Sequence, residues 1–181
     1  MTAEATSQNS TPRALATAAL VGLVAALAAG LLSTPDASKA LVDKPAPGFS
    51  GRLLDGKELS LGGLKGRVVV LDFWATWCPP CRLSIPKVQA LSERFASEPV
   101  TVLGINLDMD ETGETVRDFV KEHSIRFPQL LGGTEVAKKY GVEGIPCTVV
   151  VDRSGVVRHV STGYSEGQEE ELAELVRKLL S

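Results

Sequence analysis

The stretch Val68-Val69-Val70-Leu71-Asp72-Phe73-Trp74-Ala75-Thr76-Trp77-Cys78-Pro79-Pro80-Cys81 constrains this chain more than any other. An apolar run of β-type residues ends in two cysteines separated by two prolines, and a helical pattern follows at once. An almost unbroken apolar run, Arg67 to Phe73, suits a central strand buried on both faces. Cys78 and Cys81 at that spacing fall within one helical turn, with Cys78 at the helix start. Unpaired N–H groups and the dipole of a helix N-terminus favour thiolate over thiol, and the thiolate is the form that attacks disulfides. A C-x-x-C after a strand and before a helix therefore reads as a redox dithiol. A purely structural disulfide is the plainer alternative, but so short a loop restrains little unfolded-chain entropy.

The chain divides readily. Residues 1–13 are polar and expected to be a disordered cytoplasmic N-terminus. Residues 14–32, Ala14 to Leu32, are uncharged and apolar apart from Thr17, which suits a transmembrane anchor. A cleaved signal segment is the alternative, with a weak cleavage site at Ser38-Lys39-Ala40. Residues 33–42 read as a linker and 43–181 as the folded domain. That domain is of ordinary size and large enough to bury a core.

Within the domain, Phe49–Leu53 and Lys57–Leu61 flank Asp55-Gly56, a two-residue hairpin signal. A helix is expected from Pro79 to Ala96, its opening prolines tolerated in the first turn, with a kink at Pro86. Val100–Leu107 reads as a strand, Glu114–His123 as a helix, and Arg126–Leu131 as an extended piece. A helical turn over Val136–Tyr140 ends at Gly141. Thr148–Asp152 and Val156–Val160 form a second hairpin, and Gly167–Leu180 is the closing helix. Alternating strands and helices imply an α/β sheet ending in an antiparallel hairpin.

Composition excludes several classes. The net charge of −3 offers no basic face for nucleic acid. Three cysteines do not suit a disulfide framework, and two histidines lack zinc-type spacing to them. No metal and no cofactor beyond the dithiol is expected.

The residues Asp72 to Cys81, the Gly144-Ile145-Pro146 that precedes a later apolar run, Lys44-Pro45-Ala46-Pro47-Gly48-Phe49 and Leu54-Asp55-Gly56-Lys57 together resemble a known family. This is the TlpA/ResA-like group of membrane-anchored thioredoxins, relatives of the cytochrome c maturation thioredoxins, and the resemblance covers about Val42 to Ser181. It implies a thioredoxin-like fold: a central mixed sheet flanked by helices, an N-terminal β-hairpin, and a β-α insertion between Val100 and Leu131. It also implies an extracytoplasmic thiol–disulfide oxidoreductase that acts on client disulfides and is recharged by a membrane electron donor. Apocytochrome c thiols are one client class.

By this resemblance Cys78 is the nucleophile and Cys81 the buried resolving thiol. Asp72 matches the buried acid that moves the Cys81 proton, and burial should raise its pKa. Trp77, Pro79, Pro80, Ile145 and Pro146 form the substrate surface, with Pro146 cis and the Ile145 backbone pairing with substrate. Pro79 and Pro80 also withdraw two N–H donors from the Cys78 sulfur, which favours a reductant over an oxidant. Two positions depart from the pattern. Gly104 stands where thioredoxin has a lysine near the acid, and Ser84 where ResA-like proteins carry a glutamate. Cys147, beside Pro146, is read as a buried thiol packed as a small hydrophobe; a third redox thiol is the alternative. Three rival functions remain. A peroxiredoxin wants a threonine where Ala75 stands, a non-catalytic binding module would not need the dithiol, and a copper carrier wants wider cysteine spacing with a partnered histidine.

Overall fold

The structure is a computed structural model that describes residues 37–110 and 112–181. The expected N-terminal tail, the apolar run Ala14 to Leu32 and the start of the linker lie outside the described residues. No described helix is long and apolar enough to cross a membrane.

Strand β3 (Val68–Trp74) is the axis of the fold, and all seven of its residues are buried. It pairs in parallel with β4 (Val100–Asn106) and antiparallel with β6 (Cys147–Val151). β5 (Gln129–Leu130) joins β4 in parallel, and β7 (Val157–Thr162) joins β6 antiparallel, giving the order β5-β4-β3-β6-β7. The register sets Asp72 opposite Gly104 on one side and Thr148 on the other.

Side-chain alternation along the strands divides the core in two. Val68, Val70 and Trp74 face a cluster built by α1 (Pro79–Arg94), α2 (Glu114–Glu122) and α4 (Gln168–Leu180). Val69, Leu71 and Phe73 face the other cluster, which takes Val136 and Ala137 of α3 (Thr134–Lys139), then Tyr140, and Phe49 and Leu53 from the N-terminal segment. α1 continues through Pro86 and buries Cys81, Ile85, Val88 and Leu91 at helical spacing against the sheet.

The N-terminal hairpin, β1 (Ser50–Arg52) with β2 (Glu58–Ser60), departs from the expected two-residue turn. Leu53 N–H bonds to Lys57 O, and Gly56 N–H to Leu53 O, so residues 54–56 form a three-residue loop. Gly56 at φ +88° takes the left-handed position that ends such a loop, a place where a residue with a Cβ would be strained. The chain then covers both sheet edges. Leu53 bridges Leu130 of β5, and the Asp43 N–H and Lys44 carbonyl hydrogen-bond Val157 of β7. Covering the start of an edge strand shortens the open ladder it offers another chain.

The described part of the stretch expected as a linker, residues 37–42, already packs on the domain. Ser38 is buried, Lys39–Leu41 forms a 3₁₀ turn, and Leu41 and Val42 pack on the α3-side cluster. Ala37 and Ser38 lie so close to Gly141 that a Cβ there would meet them at 3.0–3.1 Å, at a φ of +61°.

Candidate active site

The C-terminal end of β3 delivers the chain into a turn, and Cys78 caps α1 from a β-region conformation (φ −92°, ψ 104°). Cys78 and Cys81 are joined as a disulfide, S–S 2.05 Å with Cα atoms 5.3 Å apart. Pro79 and Pro80 fill the first two helical positions and have no N–H, so the Cys81 N–H, 3.2 Å from Cys78 Sγ, is the donor that reaches this sulfur. In this oxidised state Cys78 is 3% exposed and Cys81 0%, so the expected difference in accessibility is slight. Trp77, next to Cys78, is 65% exposed, whereas Phe73 and Trp74 are core. Leu83 and Met109 are exposed as well. Pro146 is buried behind a cis Ile145–Pro146 peptide, and Ile145 is half-buried against the cluster that holds both cysteines.

Asp72 lies on the cysteine side of β3, fully buried, and neither carboxylate oxygen has a hydrogen-bond partner. Burial pushes its pKa up to about 7; the Thr148 hydroxyl, from the paired position on β6, offsets part of the shift. Thr148 moderates the charge without making a hydrogen bond of normal geometry, since both carboxylate oxygens remain unpartnered. Gly104 faces Asp72 from β4, so no side chain reaches it from that strand position. The space above Gly104 is filled by the Gln129 amide, whose Oε1 a Cβ on Gly104 would overlap at 2.0 Å. Gln129 accepts from Trp74 Nε1 at 2.8 Å and donates to the Phe127 carbonyl at 2.9 Å. Ser84 is buried and donates to the Cys81 carbonyl at 3.0 Å.

Cys147 pairs with Phe73 in the β3–β6 register and is buried in the α3-side cluster. The sheet lies between it and the Cys78–Cys81 pair, which packs in the α1-side cluster. Its Sγ is 3.9 Å from the Thr162 hydroxyl.

The redoxin family model matches residues 41–176. The thiol-disulfide oxidoreductase ResA of Bacillus thuringiensis subsp. konkukian (strain 97-27) is 35% identical over 139 residues, 76% of this chain and 78% of the relative. This chain belongs to the redoxin family. Among solved structures, a putative thiol:disulfide interchange protein DsbE from Chlorobium tepidum superposes with a TM-score of 0.69 at 30% identity, covering 76% of this chain and 96% of the other. A structure titled MTB dsbF in its mixed oxidised and reduced forms superposes at 0.63 and 29% identity, covering 81% and 99%. The redoxin described here is a thiol–disulfide oxidoreductase with a thioredoxin-like fold.

This redoxin also has site residues that the sequence pattern did not mark. Thr76, two residues before Cys78, is held by three of its own groups. Its N–H and hydroxyl donate to Asp108 at 2.9 and 2.6 Å. Its carbonyl accepts from Arg82 Nε and a terminal guanidinium nitrogen at 3.2 and 2.9 Å. Asn106 Nδ2 completes the Asp108 carboxylate at 2.7 Å, and the Arg82 guanidinium lies 5.5 Å from the Phe119 ring centroid. The available signal was the polar Asn106-Leu107-Asp108 at the carboxyl end of a buried strand, where α/β proteins place their sites.

Proposed function

We propose that this redoxin is an extracytoplasmic disulfide reductase, held at the membrane by Ala14 to Leu32, with disulfide-containing proteins as clients and apocytochrome c thiols as one client class. The observation that carries the reductant direction is the Pro79-Pro80 pair. With two donors missing, the Cys81 N–H is left to stabilise a Cys78 thiolate. A less stabilised thiolate makes the reduced form a better electron donor. The names of the matched relatives, a thiol-disulfide oxidoreductase and a thiol:disulfide interchange protein, support exchange chemistry.

In this reading the Cys78 thiolate attacks the client disulfide and forms a mixed disulfide. Cys81 gives its proton to Asp72 and attacks Cys78 sulfur, and the client leaves as a thiol. Trp77 and Ile145 flank the point of attack, and a membrane electron carrier restores the dithiol. Cys81→Ser is expected to accumulate client mixed disulfides on Cys78, and Cys78→Ser to trap none; equal trapping by both variants overturns the roles. Equilibration of the Cys78–Cys81 pair against glutathione or dithiothreitol is expected to give a potential nearer ~−270 mV than the ~−120 mV of a strong oxidant. A value at the oxidant end overturns the direction.

A further inference from the structure

Asp72 has to lose a proton once per turnover, yet it is sealed in the core. The buried oxygens without partners among the described side chains are both of Asp72 and Oε2 of Glu169. A crevice between α1 and α4 joins their surroundings. It is a cavity of about 20 Å³, walled by Val70, Val88, Leu91 and Leu172, with Ser84, Thr148 and Glu169 among its polar lining. Thr148 brings the inner end beside Asp72, its partner in the β3–β6 register. Glu169 closes the outer end in an ion pair with Lys87, 2.7 Å from Oε1, which ties α4 to α1.

We propose that this crevice holds one water molecule, and that the water, with Thr148 and Glu169, carries the proton between Asp72 and solvent. The volume suits a single water, which needs roughly 10–15 Å³ and two to four polar partners. The Thr148 hydroxyl can accept and donate, and the Ser84 hydroxyl, donating to the Cys81 carbonyl, keeps its acceptor capacity. Glu169 Oε2, buried and without a hydrogen-bond partner among the described groups, supplies an acceptor. The Lys87 ammonium holds the Glu169 carboxyl below the usual carboxylate range, so the outer end is anionic at neutral pH. Charged and titratable groups near this route are Lys87 on α1, Tyr164 and Glu166 before α4, and Glu169 on it. His159 of β7 shares this face of the sheet, opposite Val150, with Glu171 beside it. Gly104 and Thr148, the strand neighbours of Asp72, bring no charge.

The route rests on the reductase reading and serves its resolving step. The Cys81 thiol gives its proton to the Asp72 carboxylate. Cys81 sulfur bonds to Cys78 sulfur, and the bond from Cys78 to the client sulfur breaks with its electron pair on the client. Two electrons pass from the dithiol to the client, whose thiolate takes a proton from solvent. As Cys81 attacks, Asp72 passes the proton on through the crevice water toward Glu169, so the route is used within the resolving step.

The test uses the reduced full-length protein and dithiobis(nitrobenzoate) in a rapid-mixing experiment. One coloured thiolate appears when Cys78 attacks and a second when Cys81 resolves. A parent protein that releases neither overturns the exchange reading itself, separately from the crevice. With both phases present, Thr148→Val is expected to slow the second phase about tenfold and leave the first unchanged, less than the roughly hundredfold or more of a direct acid–base group because Thr148 acts through a water. Thr148→Ser, which keeps the hydroxyl, is expected to stay near the parent rate, and Glu169→Gln to slow the second phase alone. A purely structural Thr148 would give the opposite order, because valine fills its volume and serine does not. Equal second phases in all four proteins, or Thr148→Ser as slow as Thr148→Val, overturn the proposal. So does the absence of any water-to-methyl NOE at Val70, Val88 and Leu172 in the parent.

Discussion

Asp72 and Asp108 are both buried acids, and they are built in opposite ways. Asp108 accepts three hydrogen bonds, from the Thr76 N–H and hydroxyl and the Asn106 amide. Asp72 accepts none. A carboxylate whose lone pairs are used holds geometry, because moving it would break bonds already made. A carboxyl denied both water and partners keeps its proton to higher pH, where a dithiol needs a base. One acid fixes the segment that precedes Cys78; the other lies unpartnered on the cysteine side of β3.

The sharpest way to break this comparison is Asp108→Ala. It strands the Thr76 N–H and hydroxyl and the Asn106 amide in a dry site. The expected loss is about 3–5 kcal/mol of stability, since each buried donor left unpaired costs about 1–3 kcal/mol and the three are not fully additive. Asp108→Asn keeps acceptors and should lose less. Urea denaturation read by tryptophan fluorescence measures both. If Asp108→Ala unfolds at the parent midpoint, Asp108 is not the clamp described.

Asp72→Asn is expected to move stability the other way. Below the ordinary aspartate pKa of 3.8 both folded and unfolded chains carry the proton, and Asp72 contributes no pH dependence. Between there and about 7 the unfolded chain gives up a proton that the folded chain keeps, so stability falls as pH rises. Above about 7 the penalty is complete. Asn removes it. The variant should exceed the parent at pH 8 by about 4 kcal/mol, with the difference closing near pH 4. The same variant should slow the second thiolate release near neutral pH about a hundredfold, as expected for loss of a general base. More stability with less turnover is the signature of a group kept for chemistry; a variant destabilised at pH 8 would place Asp72 with Asp108 as a structural acid.

What the sequence made legible follows the same division. The apolar run through β3, the C-x-x-C at the start of α1 and the proline before β6 are local patterns, and each falls where its pattern puts it. Asp72 was legible because a lone charge interrupts an apolar strand. Asp108 was not, because its meaning lies in a contact with Thr76 across two strands that no periodicity encodes. Gln129 is the same case: its amide fills the space that Gly104 leaves empty, and only the β4–β5 pairing brings the two together. The three-residue loop of the first hairpin differs from the two-residue reading because Asp-Gly serves both turn types, and the ladder register chooses between them. The linker reading ended too late because a short polar segment gives no sign of the surface it will cover, here Gly141 and β7.

The two acids lie on one side of the strand ladder or at its end, and Cys147 supplies the control on the other side. Its register with Phe73 sends the side chain into the α3-side cluster, while Asp72 and the disulfide belong to the α1-side cluster. Thiol exchange needs sulfur atoms in contact along a line, and a fully packed sheet lies between these. Cys147→Ala therefore removes a small packed group and nothing from the redox pair. The expected loss is about 1–2 kcal/mol, the smallest of the three effects, from the void left by one buried sulfur. Both thiolate-release phases and the potential of the Cys78–Cys81 pair should match the parent. A variant of parental stability that releases the second thiolate slowly would put a third thiol into the exchange, and would mean that the sheet does not separate the two sides in solution.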